Sequence, residues 1–359
     1  MLRMTLASLM LVTPLALASD TLAIFGWADY MAPDTLTEFQ RRTGIATRYT
    51  VYDTNEVMDQ QMRSSKNAYD VVFPSVHVVG EQIRDGLLQP LDRSRLPHWN
   101  NLNPALLRLL ESGDPGNRYG FPYLWGTTGI GYDLDKVTAA LGPQPPIDSW
   151  DLLFKPENLA KLKDCGVAIL DNGTELIPLA LNYLGLSPHS TEPGDYRKAE
   201  ELLMKMKPYV RSFNSLEYAH DLASGKICVA VGFSGDVLQA AELAQRTGKG
   251  THIGYSVPRE GTTVWFDMIA IPTHAPNPDA AYAFLNYLLE PQVIADITNT
   301  TRYANANEEA DELVNAGIRS DAKIYPTADV FSRLFTLQKP SADIAQLRDR
   351  IWHKVSTGR

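Results

Sequence analysis

Apolar runs alternate with amphipathic stretches through the first part of the chain. Leu22-Ala23-Ile24-Phe25 reads as a buried strand ending at Gly26, and Pro33 to Thr43 reads as a helix with Leu36 and Phe39 on one face, stopped by Gly44. Ala46 to Val51 is β-branched and aromatic enough for a second strand. Asn55 is placed to cap a helix carrying Val57, Met58, Gln61 and Met62, and Tyr69 to Pro74 forms a third strand that ends at Ser75. Strand, helix, strand, helix, strand is the order that builds a parallel sheet.

Farther along the pattern changes. Tyr119 to Tyr132 is extended but interrupted by glycines, as suits a crossing between domains. Pro143 to Pro146 is a loop, and Asp148 opens a helix bearing Trp150, Leu152 and Leu153. Cys165 to Leu170 is a strand running into Asp171-Asn172-Gly173-Thr174-Glu175, with helical stretches at Leu176–Tyr183 and Tyr196–Met206. Ile227 to Val231 is another strand, ending at Gly232-Phe233-Ser234-Gly235-Asp236 ahead of a helix from Val237 to Gln245. Ile253–Pro258 and Thr263–Pro272 read as two strands of a hairpin about Arg259-Glu260-Gly261. An amphipathic helix, Asp279–Leu288, precedes the polar loop Tyr303-Ala304-Asn305-Ala306-Asn307, and mixed helices run to the end.

Length and charge narrow the class. The chain has 359 residues, 44% of them hydrophobic, enough for a sizeable core divided between two domains. A net charge of −9 argues against nucleic acid and is compatible with a cationic ligand, although acidity also serves solubility. Residues 1–18 carry Arg3, an apolar run from Leu6 to Leu17 and an Ala16-Leu17-Ala18 cleavage site, the pattern of a secretory signal peptide. No Cys lies near that site to carry a lipid anchor, and no later apolar run reaches the ~18 residues of a membrane span. The expected product is exported and soluble. Of the two cysteines, Cys165 and Cys228, an isolated pair in an oxidising compartment reads as one disulfide, with two separate buried thiols as the alternative.

Several strand ends share a composition: Trp27, Asp29 and Tyr30; Ser75; Asp171 and Glu175; Phe233 and Asp236. Trp265 and Asp267 on a later strand and Tyr303 on the late loop extend the set. Parallel strands bring their carboxyl ends to one edge, where these side chains can converge. Taken singly, Trp27 and Tyr30 read equally as core residues and Asp29 as a helix cap. Together, aromatics and carboxylates suit a dication with an apolar spacer, because ammonium groups leaving water need paired carboxylates and aromatic faces. The enzymatic readings are weaker. The seven His residues have no zinc spacing, Gly232-Phe233-Ser234-Gly235 falls one residue short of a nucleophile elbow, and no phosphate-binding glycine motif is present. Ser75 and His77 would point apart at a helix start. A hydrolase using paired carboxylates is the best enzymatic rival.

The chain resembles the periplasmic putrescine/spermidine-binding proteins of bacterial ABC importers over its whole mature length. The markers are Trp27 to Thr35, Tyr52 to Glu56, Asp70 to Ser75, Thr127 to Tyr132, Asp148-Ser149-Trp150, Gly235-Asp236 and Tyr303 to Asn307. The resemblance implies a two-lobed α/β periplasmic-binding-protein fold of type II. Each lobe would be a mainly parallel sheet flanked by helices, with ligand in the cleft and closure by hinge motion. Lobe one would hold residues 19–124 and 247–308, and lobe two residues 125–246 and 309–359. Carried over by position, Trp27, Tyr30, Phe233, Trp265 and Tyr303 look like the aromatic box, Asp29, Glu175, Asp236 and Asp267 the acids, and Ser75 a polar contact. Cys165 and Cys228 match the family's disulfide. Phe233 stands where the putrescine-binding members commonly carry Trp, Ala28 replaces a small polar residue, and His77-Val78 replaces a small-polar and aromatic pair. The implied function is capture of a polyamine in the periplasm of a Gram-negative bacterium and delivery to an inner-membrane ABC permease. The alternatives are the same fold taking another organic cation or an amino-acid-like ligand, or the hydrolase. A monomer with no cofactor, no metal, no nucleic acid and no membrane insertion is expected.

Overall fold

The alternation in the first part of the chain folds as read. The computed structural model describes residues 21–358 apart from 67, 112 and 249–251, so the signal peptide expected at 1–18 lies outside the described residues. The first elements are β1 (Leu22–Trp27), α1 (Thr35–Thr43), β2 (Thr47–Tyr52), α2 (Asn55–Ser64), β3 (Val71–Val72) and α3 (Val76–Arg84). β1 pairs in parallel with β2 on one side and β3 on the other. Burial of both faces explains the unbroken apolar run of β1, from Leu22 to Gly26. The cap of α2 differs from expectation by one residue. Thr54 accepts the Val57 N–H at 3.2 Å, while Asn55 is the first helical residue and turns its amide to Ser75.

The remaining strands are β4 (Gly120–Asp133), β5 (Val167–Ile169), β6 (Ser212–Phe213), β7 (Val229–Phe233), β8 (Ile253–Ser256), β9 (Val264–Ala270) and β10 (Ala304–Asn305). Their order is β2-β1-β3-β9-β4-β7-β5-β6, with β8 and β10 also paired to β4. The segment expected to cross between domains is thus one 14-residue strand. Its first half pairs antiparallel with β9, from Gly120 opposite Ala270 to Thr127 opposite Val264. Its second half pairs antiparallel with β7, from Thr128 opposite Phe233 to Tyr132 opposite Val229.

The hairpin expected about Arg259-Glu260-Gly261 is absent. β8 pairs with residues Ile130–Asp133 of β4, β9 with Gly120–Thr127, and the Thr128 N–H reaches Thr263 O at 3.1 Å between them. The two strands lie end to end along β4, and the intervening turn carries the chain from one lobe to the other.

Two separate cores flank this spine. One contains Phe25, Phe39, Phe73, Trp125, Phe266 and Phe284; the other contains Ile130, Trp150, Leu176, Tyr196, Tyr218 and Tyr255. The fold is therefore two-lobed, with β1, β2 and β3 parallel in one lobe and β5, β6 and β7 parallel in the other. Cys165 and Cys228 are disulfide-bonded, closing a sequence separation of 63 between the approaches to β5 and β7. Among the described residues no helix is long and apolar enough to cross a membrane.

Candidate functional site

A cavity of about 140 Å³ lies where the lobes meet. Trp27 is the last residue of β1, Ser75 precedes α3, Asp267 is mid-strand in β9, and Tyr303 leads into β10. These belong to the first lobe. From the second lobe come Glu175 and Asp236, each in the first turn of a helix, Gly173–Tyr183 and Ser234–Arg246. Both helices begin earlier than the sequence reading placed them. Each carboxylate therefore lies at a helix amino end, where the backbone dipole favours negative charge.

Trp27, Tyr30, Ser75, Glu175, Phe233, Asp236, Trp265, Asp267 and Tyr303 all line the cavity. Asp29 does not. It is exposed beside the cavity with φ of +51°, a left-handed conformation that aspartate tolerates better than most residues.

The three inner carboxylates are held by hydroxyls. Asp267 accepts from Tyr30 Oη at 2.7 Å on one oxygen and from Ser75 Oγ at 2.6 Å on the other. Asp236 accepts from Tyr218 Oη at 2.7 Å on one oxygen and from Tyr303 Oη at 2.5 Å on the other. Glu175 accepts from Thr128 Oγ1 at 3.1 Å and Thr263 Oγ1 at 2.8 Å, both on Oε2. Burial pushes all three carboxyls above their ordinary range, Asp267 to about 7, and the hydroxyls offset only part of that shift.

Rings fill the spaces between the acids. Trp265 meets Tyr303 edge to face at 5.1 Å and Phe233 at 5.7 Å, and Tyr30 meets Tyr303 at 5.7 Å. Trp27 donates its indole N–H to Phe73 O at 3.0 Å and packs on Tyr52 at 4.5 Å. Among the described residues no Lys or Arg lines the wall. His77 does, but burial holds its pKa down to about 4, so its ring is neutral at pH 7. The wall carries acid without matching base, and among the described residues no group of side chains is arranged to hold a metal ion.

Residues 34–326 match the family model of the bacterial extracellular solute-binding proteins. The chain belongs to that family. Among curated proteins similar to it, the putrescine-binding periplasmic protein PotF of Escherichia coli is 48% identical over 349 residues, covering 97% of this chain and 94% of that one. The putrescine-binding periplasmic protein SpuD of Pseudomonas aeruginosa is 46% identical over 350 residues, covering 97% and 95%. A solved structure described as a putative spermidine/putrescine ABC transporter from Listeria monocytogenes superposes with a TM-score of 0.84 at 31% identity, covering 95% of this chain and 100% of that chain.

Several groups at the site escaped the sequence reading. Tyr218, Thr128 and Thr263 supply hydroxyls to the acids, Tyr52, Asn55 and Leu337 line the wall, and Leu216 lies at the mouth. Tyr52, Asn55 and Thr128 sit inside the stretches that carry the family resemblance, so a signal existed there. Tyr218 opens a short helix, Tyr218–Ala223, and its hydroxyl reaches the end of β7, 15 residues on in sequence, a contact that no local pattern announces.

Proposed function

We propose that this protein is a periplasmic receptor that captures a putrescine- or spermidine-like polyamine between its lobes and delivers it to a bacterial ABC importer. The observation that carries the reading is the wall of the cavity: Glu175 and Asp267 buried and Asp236 half-buried among aromatic rings, with no cationic side chain among the described residues that line it. Carboxylates drawn out of water with hydroxyl donors but no cationic partner are costly, and a ligand bringing ammonium groups supplies the missing charge. Apolar methylenes between those groups suit the faces of Trp27, Tyr30, Trp265 and Tyr303, with Phe233 as the fifth ring. Asp29 and Ser75 complete the proposed ligand set, Asp29 from the rim. The names of the relatives support the same ligand class and compartment. The Cys165–Cys228 bond fits an oxidising compartment.

We take the receptor to be monomeric and without a catalytic step, so ligand incubated with it should be recovered unchanged by mass spectrometry. We place the lobe boundaries where core membership changes. Trp125 packs in the first core and Ile130 in the second, Tyr255 in the second and Val264 in the first, Ile324 in the first and Ile344 in the second.

Calorimetric titration with putrescine, cadaverine, spermidine, spermine and agmatine tests the proposal. At least one should bind and raise the melting temperature, by about 2.7 kcal/mol of added stability at a hundredfold excess over Kd. Absence of heat and of any melting shift with all five would overturn it. Asp236→Asn should weaken the preferred ligand on the order of a hundredfold, because an ammonium is left facing a neutral amide. Unchanged affinity in that variant would remove Asp236 from the site.

A further inference from the structure

We propose that Tyr218 is a positioning residue of the ligand site, fixing the Asp236 carboxylate through a hydroxyl that can donate in only one direction. The proposal rests on the reading of Asp236 as a ligand acid. Tyr218 itself does not line the cavity and is 1% exposed.

Its phenol oxygen accepts the Phe233 N–H at 3.0 Å and lies 2.7 Å from Asp236 Oδ2. A backbone N–H can only donate, and a phenol carries one proton. The Tyr218 proton is therefore committed to Asp236. The arrangement is built into the strand: a Cβ at Gly232 would lie 2.1 Å from Tyr218 Cε2, so the ring occupies space that any larger residue would take. The same backbone that ends β7 thus admits the ring, anchors its hydroxyl and leads into the helix bearing Asp236.

Asp236 has two hydroxyl donors of different origin. Tyr218 shares its lobe, whereas Tyr303 belongs to the core of the other lobe. Tyr218 holds the acid within one rigid body, and Tyr303 adds its hydroxyl from across the cleft. The titratable groups facing Asp236 are Tyr218, Tyr303 and, from the loop after β1, Asp29. Burial and the Asp236 charge raise the Tyr218 pKa well above that of a free tyrosine, keeping it a donor throughout the working range.

Tyr218→Phe keeps the ring over Gly232 and removes only the hydroxyl. In the ligand-free protein, carbon-detected NMR titration of the Asp236 carboxyl, assigned with Asp236→Asn, should show its midpoint moved to higher pH. Incorporation of 3-fluorotyrosine at 218, which retains both hydrogen bonds with a stronger donor, should move it the other way and covers the case where the phenylalanine variant does not fold. An unmoved midpoint in the folded variants would overturn the proposal whatever the ligand proves to be. Putrescine affinity near neutral pH should fall about tenfold in Tyr218→Phe, as for loss of one hydrogen bond to a charged group, and its acid limb should shift with the carboxyl. Equal affinity and an unshifted limb would overturn Tyr218 as a positioning residue of the site. If the unaltered protein gives no heat with any polyamine, the ligand assignment fails, and the carboxyl titration still decides whether Tyr218 holds Asp236.

Discussion

Asp267 shows how a single residue couples ligand to protons. Desolvation is the largest influence on its carboxyl, and the hydroxyls of Ser75 and Tyr30 pull against it without prevailing, so the group titrates at about 7. Between roughly pH 4 and 7 the folded, ligand-free protein binds a proton there that the unfolded chain has released. Its contribution to stability therefore falls as pH rises through that window. An ammonium placed against the carboxylate favours the ionised form and reverses the preference. Glu175 and Asp236 are shifted in the same direction, so they reinforce the effect. Putrescine binding at about pH 6 should release protons, and affinity should climb as pH rises through about 7. Calorimetry in buffers of different ionisation heat measures the release directly. Proton uptake, or an affinity flat across this range, would show that these carboxyls do not meet the cation.

At the level of elements, the helix Ser234–Arg246 fits the corner before β10 closely. A Cβ at Gly235 would stand 2.6 Å from Thr301 O and 2.6 Å from the Tyr303 ring. Gly235→Ala gains about 1 kcal/mol of helix propensity but forces backbone and ring apart, at a typical cost of 1–3 kcal/mol, on the order of an overpacked core. The clash should win, with Tyr303 drawn off Asp236 and polyamine affinity lowered about tenfold or more, as for a lost charged hydrogen bond. Unaltered binding would mean that the corner yields freely. The disulfide acts on two strands of the same lobe. For its separation of 63 residues, the chain-entropy relation gives about 4 kcal/mol as the upper scale of its contribution. Paired Cys165→Ser and Cys228→Ser changes should lower the melting point markedly, and an unchanged melt would show the bond to be neutral. How much of this was readable follows from what local pattern encodes. Strands buried on both faces appear as apolar runs, so β1 and β7 and the chemistry at their ends were legible. β8 and β9 were misread as a hairpin because Arg259-Glu260-Gly261 carries turn residues, whereas their partner β4 lies more than a hundred positions upstream and leaves no local trace. Tyr218 was invisible for a similar reason, since its role depends on the space left over Gly232 rather than on any motif.

At the scale of the molecule, β4 enters both lobes, and contacts beyond the cavity decide how firmly they meet. Gln239 Nε2 donates to Thr301 O at 3.0 Å, and Arg302 pairs with Glu242 at 2.8 Å, so one face of the helix Ser234–Arg246 is tied to the other lobe at successive turns. On the opposite lip, Lys339 pairs with Glu81 of α3. None of these residues lines the cavity, yet they belong to the arrangement that encloses it. The side chains of Arg302 and Glu242 are 25% and 38% exposed, which limits the pair to roughly 0.2–1 kcal/mol after solvent screening. Arg302→Ala should accordingly weaken polyamine binding by no more than about fivefold, far less than Asp236→Asn. The loss should shrink toward nothing as ionic strength approaches about 1 M, where the screening length is about 3 Å. Titration of both proteins at low and high salt measures it. A loss that persists undiminished at high salt would assign the effect to the left-handed backbone of Arg302, whose φ is +61°, and Arg302→Gly should then restore binding. If the alanine variant binds as tightly as the original at every salt concentration, this contact accompanies closure without contributing to it, and the affinity resides in the acids and rings of the cavity.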